Sequence, residues 1–151
     1  MSDYEKDDNE GRKMFYSITS GHIQDYVYTD PQNAVDMYLT GYSGVKAVVE
    51  IKLRKDYTST QIENYGGQML ELKKYNALMG EKEFGYKPLY AVMYPNNVLA
   101  IWDISYIKRE DFIFEPTKFP KSTVEGKEEK LAKWVVDLKF DDACTIMSYK
   151  V

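Results

Sequence analysis

The chain has 151 residues, 44% of them hydrophobic, and a formal net charge of -4 at pH 7. This length supports one domain with a buried core and is too short for two comfortable ones, so we expect a single domain over residues 1–151. One cysteine, Cys144, and one histidine, His22, exclude an intramolecular disulfide and leave too few ligands for a zinc site built from His and Cys or for a Cys-His hydrolase pair.

The N-terminal part of the sequence predicts a helix followed by a strand. Residues 4–19 place polar residues before an apolar group and precede Ser20-Gly21, which is typical of a short helix and its end. Residues 22–29 are rich in β-formers and are followed by Asp30-Pro31, which predicts a short first strand. The acidic start MSDYEKDDNE has no signal-peptide character, and no apolar run is long enough to span a membrane. We therefore expect a cytoplasmic protein without a membrane partner.

A predicted β-hairpin over residues 33–54, NAVDMYLTGYSGVKAVVEIKLR, is the most informative stretch of the sequence. Apolar residues alternate with polar ones in both halves, which is the period of strands with one buried face, and the turn sequence GYSG separates the halves. Asp36 lies as far before Ser43 as Glu50 lies after it, so a simple antiparallel pairing sets the two carboxylates opposite each other. Lys52 shares the face of Glu50.

Two carboxylates that face each other across strands indicate that a cation or a proton lies between them, because their repulsion is otherwise costly. A hard ion such as Mg²⁺ takes one or two carboxylates, waters and substrate phosphate oxygens, and the Ile51 carbonyl would add a ligand. Lys52 would place an ammonium beside the attacked phosphate. The residues Asp36, Glu50, Ile51 and Lys52 therefore predict a Mg²⁺ site that acts on a phosphate.

The segment after the hairpin predicts one long helix and two more strands. Residues 60–63, TQIE, fit a capping box, and apolar residues at spacings of three and four predict a helix over 60–79. Gly66-Gly67 lie inside it and indicate a close approach of its backbone to a neighbour. Two apolar runs joined by a turn signal predict strands over 88–94 and 98–104. A strand, a helix and a strand returning beside the first predict a mixed sheet.

The C-terminal part predicts a β-rich extension. Residues 112–114 and 133–138 are strand-like, and the second run is typical of a further edge strand. Pro116 and Pro120 bound a loop, and residues 122–130 are polar. We expect this extension to pack on the rim of the sheet and to shape substrate entry.

The order of the candidate residues resembles the active-site signature of the PD-(D/E)XK nuclease superfamily. Asp36 on one strand, Glu50-Ile51-Lys52 on the next and a helix that opens with Gln61 make up the similarity, which covers roughly residues 10–103. The chain departs from the pattern at Val35, where the family name has proline. The resemblance implies an α/β fold with a restriction-endonuclease-like αβββαβ core, in which a mixed central sheet is flanked by helices, followed by the β-rich C-terminal extension.

The same resemblance implies a Mg²⁺-dependent DNA endonuclease, with Mn²⁺ as a substitute ion. Such an enzyme would serve phage or bacterial DNA processing or recombination, as a resolvase-like or restriction-like nuclease in the cytoplasm of a bacterial cell or a phage-infected host. Its implied metal ligands are Asp36, Glu50 and the Ile51 carbonyl. Lys52 would orient the attacking water or stabilise charge on the phosphate. Its partners would be DNA and a divalent metal, and cleavage of two strands would favour a homodimer.

Two further residues gain a role from the resemblance. Gln61, followed four residues later by Tyr65, is similar to the Gln-x-x-x-Tyr feature of several nuclease branches, where the glutamine helps to position the site. Glu10 lies on the first predicted helix, where many members of the superfamily carry a glutamate that contributes to the metal environment. For each residue an ordinary helix position stays open as the alternative.

Two hypotheses of other classes compete with the enzyme. The first is an inactive module that keeps the fold and uses it to bind nucleic acid or protein. The second is structural, with Asp36 and Lys52 as an exposed cross-strand ion pair that contributes less than about 1 kcal/mol. Burial of the side chains distinguishes a site from a structural ion pair. Close carboxylates in a concave, buried place favour the site, and carboxylates exposed to solvent favour the ion pair.

Overall fold

The chain forms three α-helices and nine β-strands in the part that the computed structural model describes, which is residues 3–30, 33–116 and 132–150. The helices are α1 (Asp3–Thr19), α2 (Ser59–Asn64) and α3 (Leu72–Lys82). The strands are β1 (Ile23–Tyr28), β2 (Met37–Gly41), β3 (Lys46–Leu53), β4 (Gln68–Glu71), β5 (Lys87–Tyr94), β6 (Val98–Asp103), β7 (Ile113–Pro116), β8 (Ala132–Leu138) and β9 (Thr145–Ser148). None of the helices in these ranges is long and apolar enough to cross a membrane.

Six strands form a mixed central sheet in the order β1-β2-β3-β5-β6-β9. β3 and β5 are parallel, and the other neighbours in this sheet are antiparallel. Asp36 lies just before β2, and its N–H donates to the Val49 carbonyl. In the β2–β3 hairpin the paired residues run from Met37 opposite Val49 to Thr40 opposite Lys46. This is the register that the alternation of the sequence predicted. The fold is a mixed α/β structure whose central sheet is flanked by helices.

The side chains of β3 divide between two hydrophobic cores, because successive residues of a strand point to opposite faces. Val49 and Ile51 lie in one core together with Phe15 of α1. Val48 lies in the other core together with Tyr75 of α3. The even-numbered residues of β3, which include two candidate site residues, therefore face α3.

A second, three-stranded antiparallel sheet has the order β4-β8-β7. It adds Leu70 and Leu138 to the core on the α3 side. Residues 133–138, predicted as an edge strand, belong to β8 at the centre of this sheet, so the predicted position was wrong. No sequence pattern predicted β4, which pairs with β8. Most of the predicted loop between Pro116 and Pro120, and the polar stretch 122–130, lie outside the described residues.

The predicted helix over 60–79 is wrong, because a turn and a strand interrupt it. α2 ends at Asn64, and the chain then passes through Gly66 and Gly67 with φ of 112° and 128° into β4. A Cβ on Gly67 would lie 2.4 Å from the Leu138 carbonyl oxygen. The close backbone approach expected at the two glycines is therefore real, but it brings a turn against β8 and not a helix against the central sheet.

The remaining predicted elements are confirmed. The first helix is α1, and the first strand is β1. The two later apolar runs are β5 and β6, and the parallel pairing of β3 with β5 is the expected crossover.

Gly67→Ala should lower the free energy of unfolding by about 2 kcal/mol or more, because the positive φ and the Leu138 carbonyl leave no place for a Cβ. Gly80→Ala is the matched control, since Gly80 lies in α3 with open space around it. That change should stabilise the helix by about 0.5–1 kcal/mol. Urea denaturation measures both, and equal stabilities of the two variants would contradict the close approach.

Candidate active site

Asp36 is a buried carboxylate held at the start of β2, with 7% of its surface exposed. Its backbone N–H donates to the Val49 carbonyl at 2.9 Å. Its Oδ2 accepts a hydrogen bond from the Ile51 N–H at 2.7 Å, and its Oδ1 accepts one from Arg12 Nε at 3.1 Å. The Asp36 side chain thus provides a hydrogen-bond acceptor for the Ile51 N–H, which lies beyond the last residue of β3 that pairs with β2. These bonds fix the position of the carboxylate relative to β3.

Glu50 lies in the middle of β3 and is 8% exposed. Burial, and then the negative charge of Asp36, raise the pKa of Glu50 to about 7. The two carboxyl groups are close enough to share a hydrogen bond when one of them is protonated. Lys74 of α3 opposes the shift, since its Nζ donates to Glu50 Oε2 at 2.5 Å. The pKa of Glu50 stays near 7 although the Lys74 ammonium lies beside it. The two carboxylates, Asp36 and Glu50, therefore favour a further proton or cation at neutral pH.

Lys52 lies on the same face of β3, two residues after Glu50. Burial, and then the positive charges of Arg54 and Lys74, lower the pKa of its amine. The residue as a whole is nevertheless exposed to solvent, so a ligand can reach its side chain. Arg54 follows on the same face, and its buried Nε has no hydrogen-bond partner within the described ranges. A buried guanidinium donor without an acceptor suits an anion such as a phosphate.

Two residues of α1 join this site although the sequence analysis did not select them. Arg12 is 7% exposed, and besides its bond to Asp36 it donates from Nη1 to the Thr29 carbonyl at 2.9 Å. Asp8 lies one turn before Arg12. Burial, and then the charge of Asp36, raise the pKa of Asp8, whereas Arg12 and Lys74 lower it. Asp8 is therefore the acidic residue of α1 on which the charge of Asp36 acts.

Glu10, the predicted contributor from α1, makes other contacts. It is exposed, and its Oε1 lies 3.1 Å from Lys55 Nζ. Two residues correspond to about 200° of rotation around a helix, so Glu10 and Asp8 point to opposite sides of α1. The structure thus places Glu10 in an ion pair on the surface and not with Asp36.

Gln61 caps the N-terminus of α2. Its Oε1 accepts a hydrogen bond from the Thr58 N–H at 2.9 Å, and its own N–H donates to Thr58 Oγ1 at 3.2 Å. These bonds form a capping box that begins two residues before the one predicted at 60–63. No hydrogen bond of the described residues joins Gln61 to Asp36 or Glu50, so the structure does not bring it into the site.

The alternative of an exposed ion pair between Asp36 and Lys52 is wrong. Asp36 is buried, and its ion pair is with Arg12 at 3.1 Å. Glu50 pairs with Lys74 in the same way. Both carboxylates are therefore buried and paired with cations, which differs from the expected exposed pair.

Asp36 and Glu50 provide two carboxylates as candidate ligands for Mg²⁺. Within residues 3–30, 33–116 and 132–150, no group of three or more His, Cys, Asp or Glu side chains is arranged to hold a metal ion. Mg²⁺ often binds proteins through only one or two carboxylates, with waters and substrate phosphates as the other ligands. The Ile51 N–H points to Asp36, and the carbonyl of a strand residue points to the same side as its N–H. Asp36 and the Ile51 carbonyl therefore lie on the same edge of β3.

Comparisons of the chain with models of protein families and with curated proteins found no match.

Proposed function

We propose that this protein is a Mg²⁺-dependent DNA endonuclease of the PD-(D/E)XK type. The observation that carries the proposal is the burial of two neighbouring carboxylates, Asp36 and Glu50, with Lys52 on the same face of β3 as Glu50. Two buried like charges destabilise a fold unless they are compensated. A site that binds a divalent cation gives a reason for their placement.

The order of elements supports the finer assignment to a restriction-endonuclease-like core. α1 is followed by β1, β2 and β3, then by a helical connection, and then by β5 parallel to β3. This order matches αβββαβ, with one candidate carboxylate just before the second strand and the other on the third. The connection departs from a single helix, because β4 lies between α2 and α3.

Each residue of the site has a chemical role in this proposal. Asp36 and Glu50 would hold Mg²⁺ together with the Ile51 carbonyl, and Lys74 favours the ionised form of Glu50. When bound, Mg²⁺ supplies Lewis-acid activation of the phosphate and of water. Lys52, whose pKa is lowered, would move a proton at the attacking water or stabilise the charge that develops on the phosphate.

Cleavage assays on a panel of labelled DNAs test the proposal directly. The panel includes single strands, duplexes, flaps and a four-way junction, each with Mg²⁺, with Mn²⁺ and with a chelator. We expect cleavage of at least one form with either metal and none with the chelator. Asp36→Asn should abolish the cleavage. The variant is also the control for purity, because cleavage that it shows without metal would come from a contaminating nuclease.

Metal binding should depend on both carboxylates and on pH. Calorimetry should show Mg²⁺ or Mn²⁺ uptake that weakens greatly in Asp36→Asn and in Glu50→Gln, because each change removes a charged ligand. Since the pKa of Glu50 is about 7, the ion competes with a proton below that pH. Affinity should therefore rise about tenfold between about pH 6 and about pH 8. Binding that both variants retain unchanged would place the metal elsewhere.

An inactive nucleic-acid or protein binding module of the same fold is the second candidate. The observation that favours it is that each carboxylate already has a cation, Arg12 on Asp36 and Lys74 on Glu50. A metal at this place would have to share Glu50 with Lys74. Binding of DNA without cleavage of any member of the panel, with either metal, would favour the module.

A further inference from the structure

A cavity of about 460 Å³ opens between the start of α3 and β8. This volume lies in the range of about 300–1,000 Å³ that small-molecule sites occupy. Its lining consists of Glu71, Leu72, Lys73, Asn76, Lys133 and Trp134. The lining thus combines one large aromatic ring with two lysines and a carboxylate.

Trp134 is an unusual residue to find on the surface. It is 49% exposed, whereas the other tryptophan, Trp102, is fully buried. Phe114 packs beside it with the ring centroids 5.2 Å apart, which supports the indole from one side. An exposed, supported aromatic ring is the platform on which unpaired bases stack, and base stacking tolerates any sequence.

The charged groups around the indole suit a nucleotide. Lys73 is exposed on the first turn of α3, and Lys133 Nζ lies 3.0 Å from Glu71 Oε2. Ammonium groups beside an aromatic platform bind the backbone phosphates that accompany a stacked base. The Glu71–Lys133 pair holds the lysine at the mouth of the cavity beside Trp134.

The cavity adjoins the candidate active site through the start of α3. Lys73 lines the cavity, and the next residue, Lys74, bonds Glu50. Glu71, two residues before Lys73, also lines the cavity, and its negative charge raises the pKa of Lys52. The cavity and the candidate carboxylates are therefore connected through neighbouring residues at the start of α3.

We propose that this cavity is a subsite for an unpaired nucleotide next to the scissile phosphate, with the base stacked on Trp134 and a backbone phosphate on Lys73 and Lys133. The inference rests on the nuclease proposed above and names its substrate class. A base inside a duplex must first be unstacked and unpaired, whereas a single strand, a flap or a branch point presents one already free. The substrate is therefore single-stranded or branched DNA, and continuous duplex is a poor ligand.

Tryptophan fluorescence tests the subsite without requiring cleavage. The full-length protein is titrated in Ca²⁺ with a short oligothymidylate, and separately with a blunt duplex of the same length. We expect the single strand to quench the emission of the wild type and not that of Trp134→Phe, because the remaining tryptophan is buried. The duplex should leave the emission nearly unchanged.

Binding measured by anisotropy of a labelled oligonucleotide gives the second readout. Trp134→Ala should weaken single-strand binding between about fivefold and about a hundredfold, which is the range for loss of one stacked base. Trp134→Phe keeps an aromatic ring and should recover most of the affinity. Phe84→Ala is the matched control, since Phe84 is a 78% exposed aromatic residue that does not line the cavity.

Three outcomes overturn the subsite, and they separate it from the nuclease. Unchanged single-strand binding by Trp134→Ala in a protein that cleaves DNA would remove the subsite and leave the nuclease standing. Duplex that quenches as strongly as single strand would do the same. A wild type that binds neither DNA and cleaves no member of the panel would remove both proposals.

Discussion

Lys52→Ala should remain folded and should cleave DNA at least about a hundredfold more slowly than the wild type, the lower end of the loss expected for one preorganised charge stabiliser. Because Lys52 would act mainly in the transition state, its removal should leave DNA binding in Ca²⁺ and metal binding largely unchanged. The side chain is partly exposed and outside both hydrophobic cores, so the fold should tolerate the change. Single-turnover cleavage rates on the best DNA of the panel give the measurement.

Lys46→Ala is the matched control for Lys52. Lys46 is an exposed lysine at the opposite end of β3. It lies six residues before Lys52, and since alternate residues of a strand share a face, the two lysines lie on the same face. Its removal should change the single-turnover rate little. If Lys52→Ala cleaves as fast as the wild type, or if Lys46→Ala is equally slow, the role assigned to Lys52 is wrong.

Arg12→Met should lower the free energy of unfolding by about 3–5 kcal/mol, because it leaves the buried Asp36 carboxylate without its cation. Asp36 would keep its bond from the Ile51 N–H, but that bond does not compensate a full charge. Urea denaturation near neutral pH measures the loss. The double variant Arg12→Met, Asp36→Asn should recover part of the stability, since both charges are then removed.

Lys55, which forms exposed ion pairs with Asp7 and Glu10, provides the control for the buried ion pair of Arg12. All three side chains are more than half exposed, so Lys55→Met should have little effect on stability. Equal stability losses in Arg12→Met and Lys55→Met would show that burial of the Arg12–Asp36 pair has no energetic consequence.

The hairpin could be predicted from the sequence because its information is local. Alternation of apolar and charged residues defines the faces of β2 and β3, and the position of the turn defines their register. These two facts were enough to bring Asp36 and Glu50 together. The same holds for β5 and β6, where two apolar runs flank a short turn.

The parts that sequence reasoning missed depend on partners far along the chain. The apolar spacing after residue 60 suits one helix, but the pairing of β4 with β8 overrides that preference, and Gly66 and Gly67 permit it. Arg12 was overlooked although it lies three residues from the buried Phe15, on the apolar side of α1. A charged residue in an apolar helical stripe was the available signal for a buried ion pair.

The pairing of β4 with β8 joins two segments that lie far apart in the sequence. Strands distant in sequence pair late, because the long loop between them must first close, and a chain leaving the ribosome presents its N-terminal elements first. A nascent chain that has emerged as far as β6 already contains Asp36, Glu50 and Lys52. Trp134 and Lys133 arrive only with β8. The candidate site carboxylates are therefore synthesised before the aromatic residue of the proposed subsite, so a ribosome-bound chain can carry the first without the second.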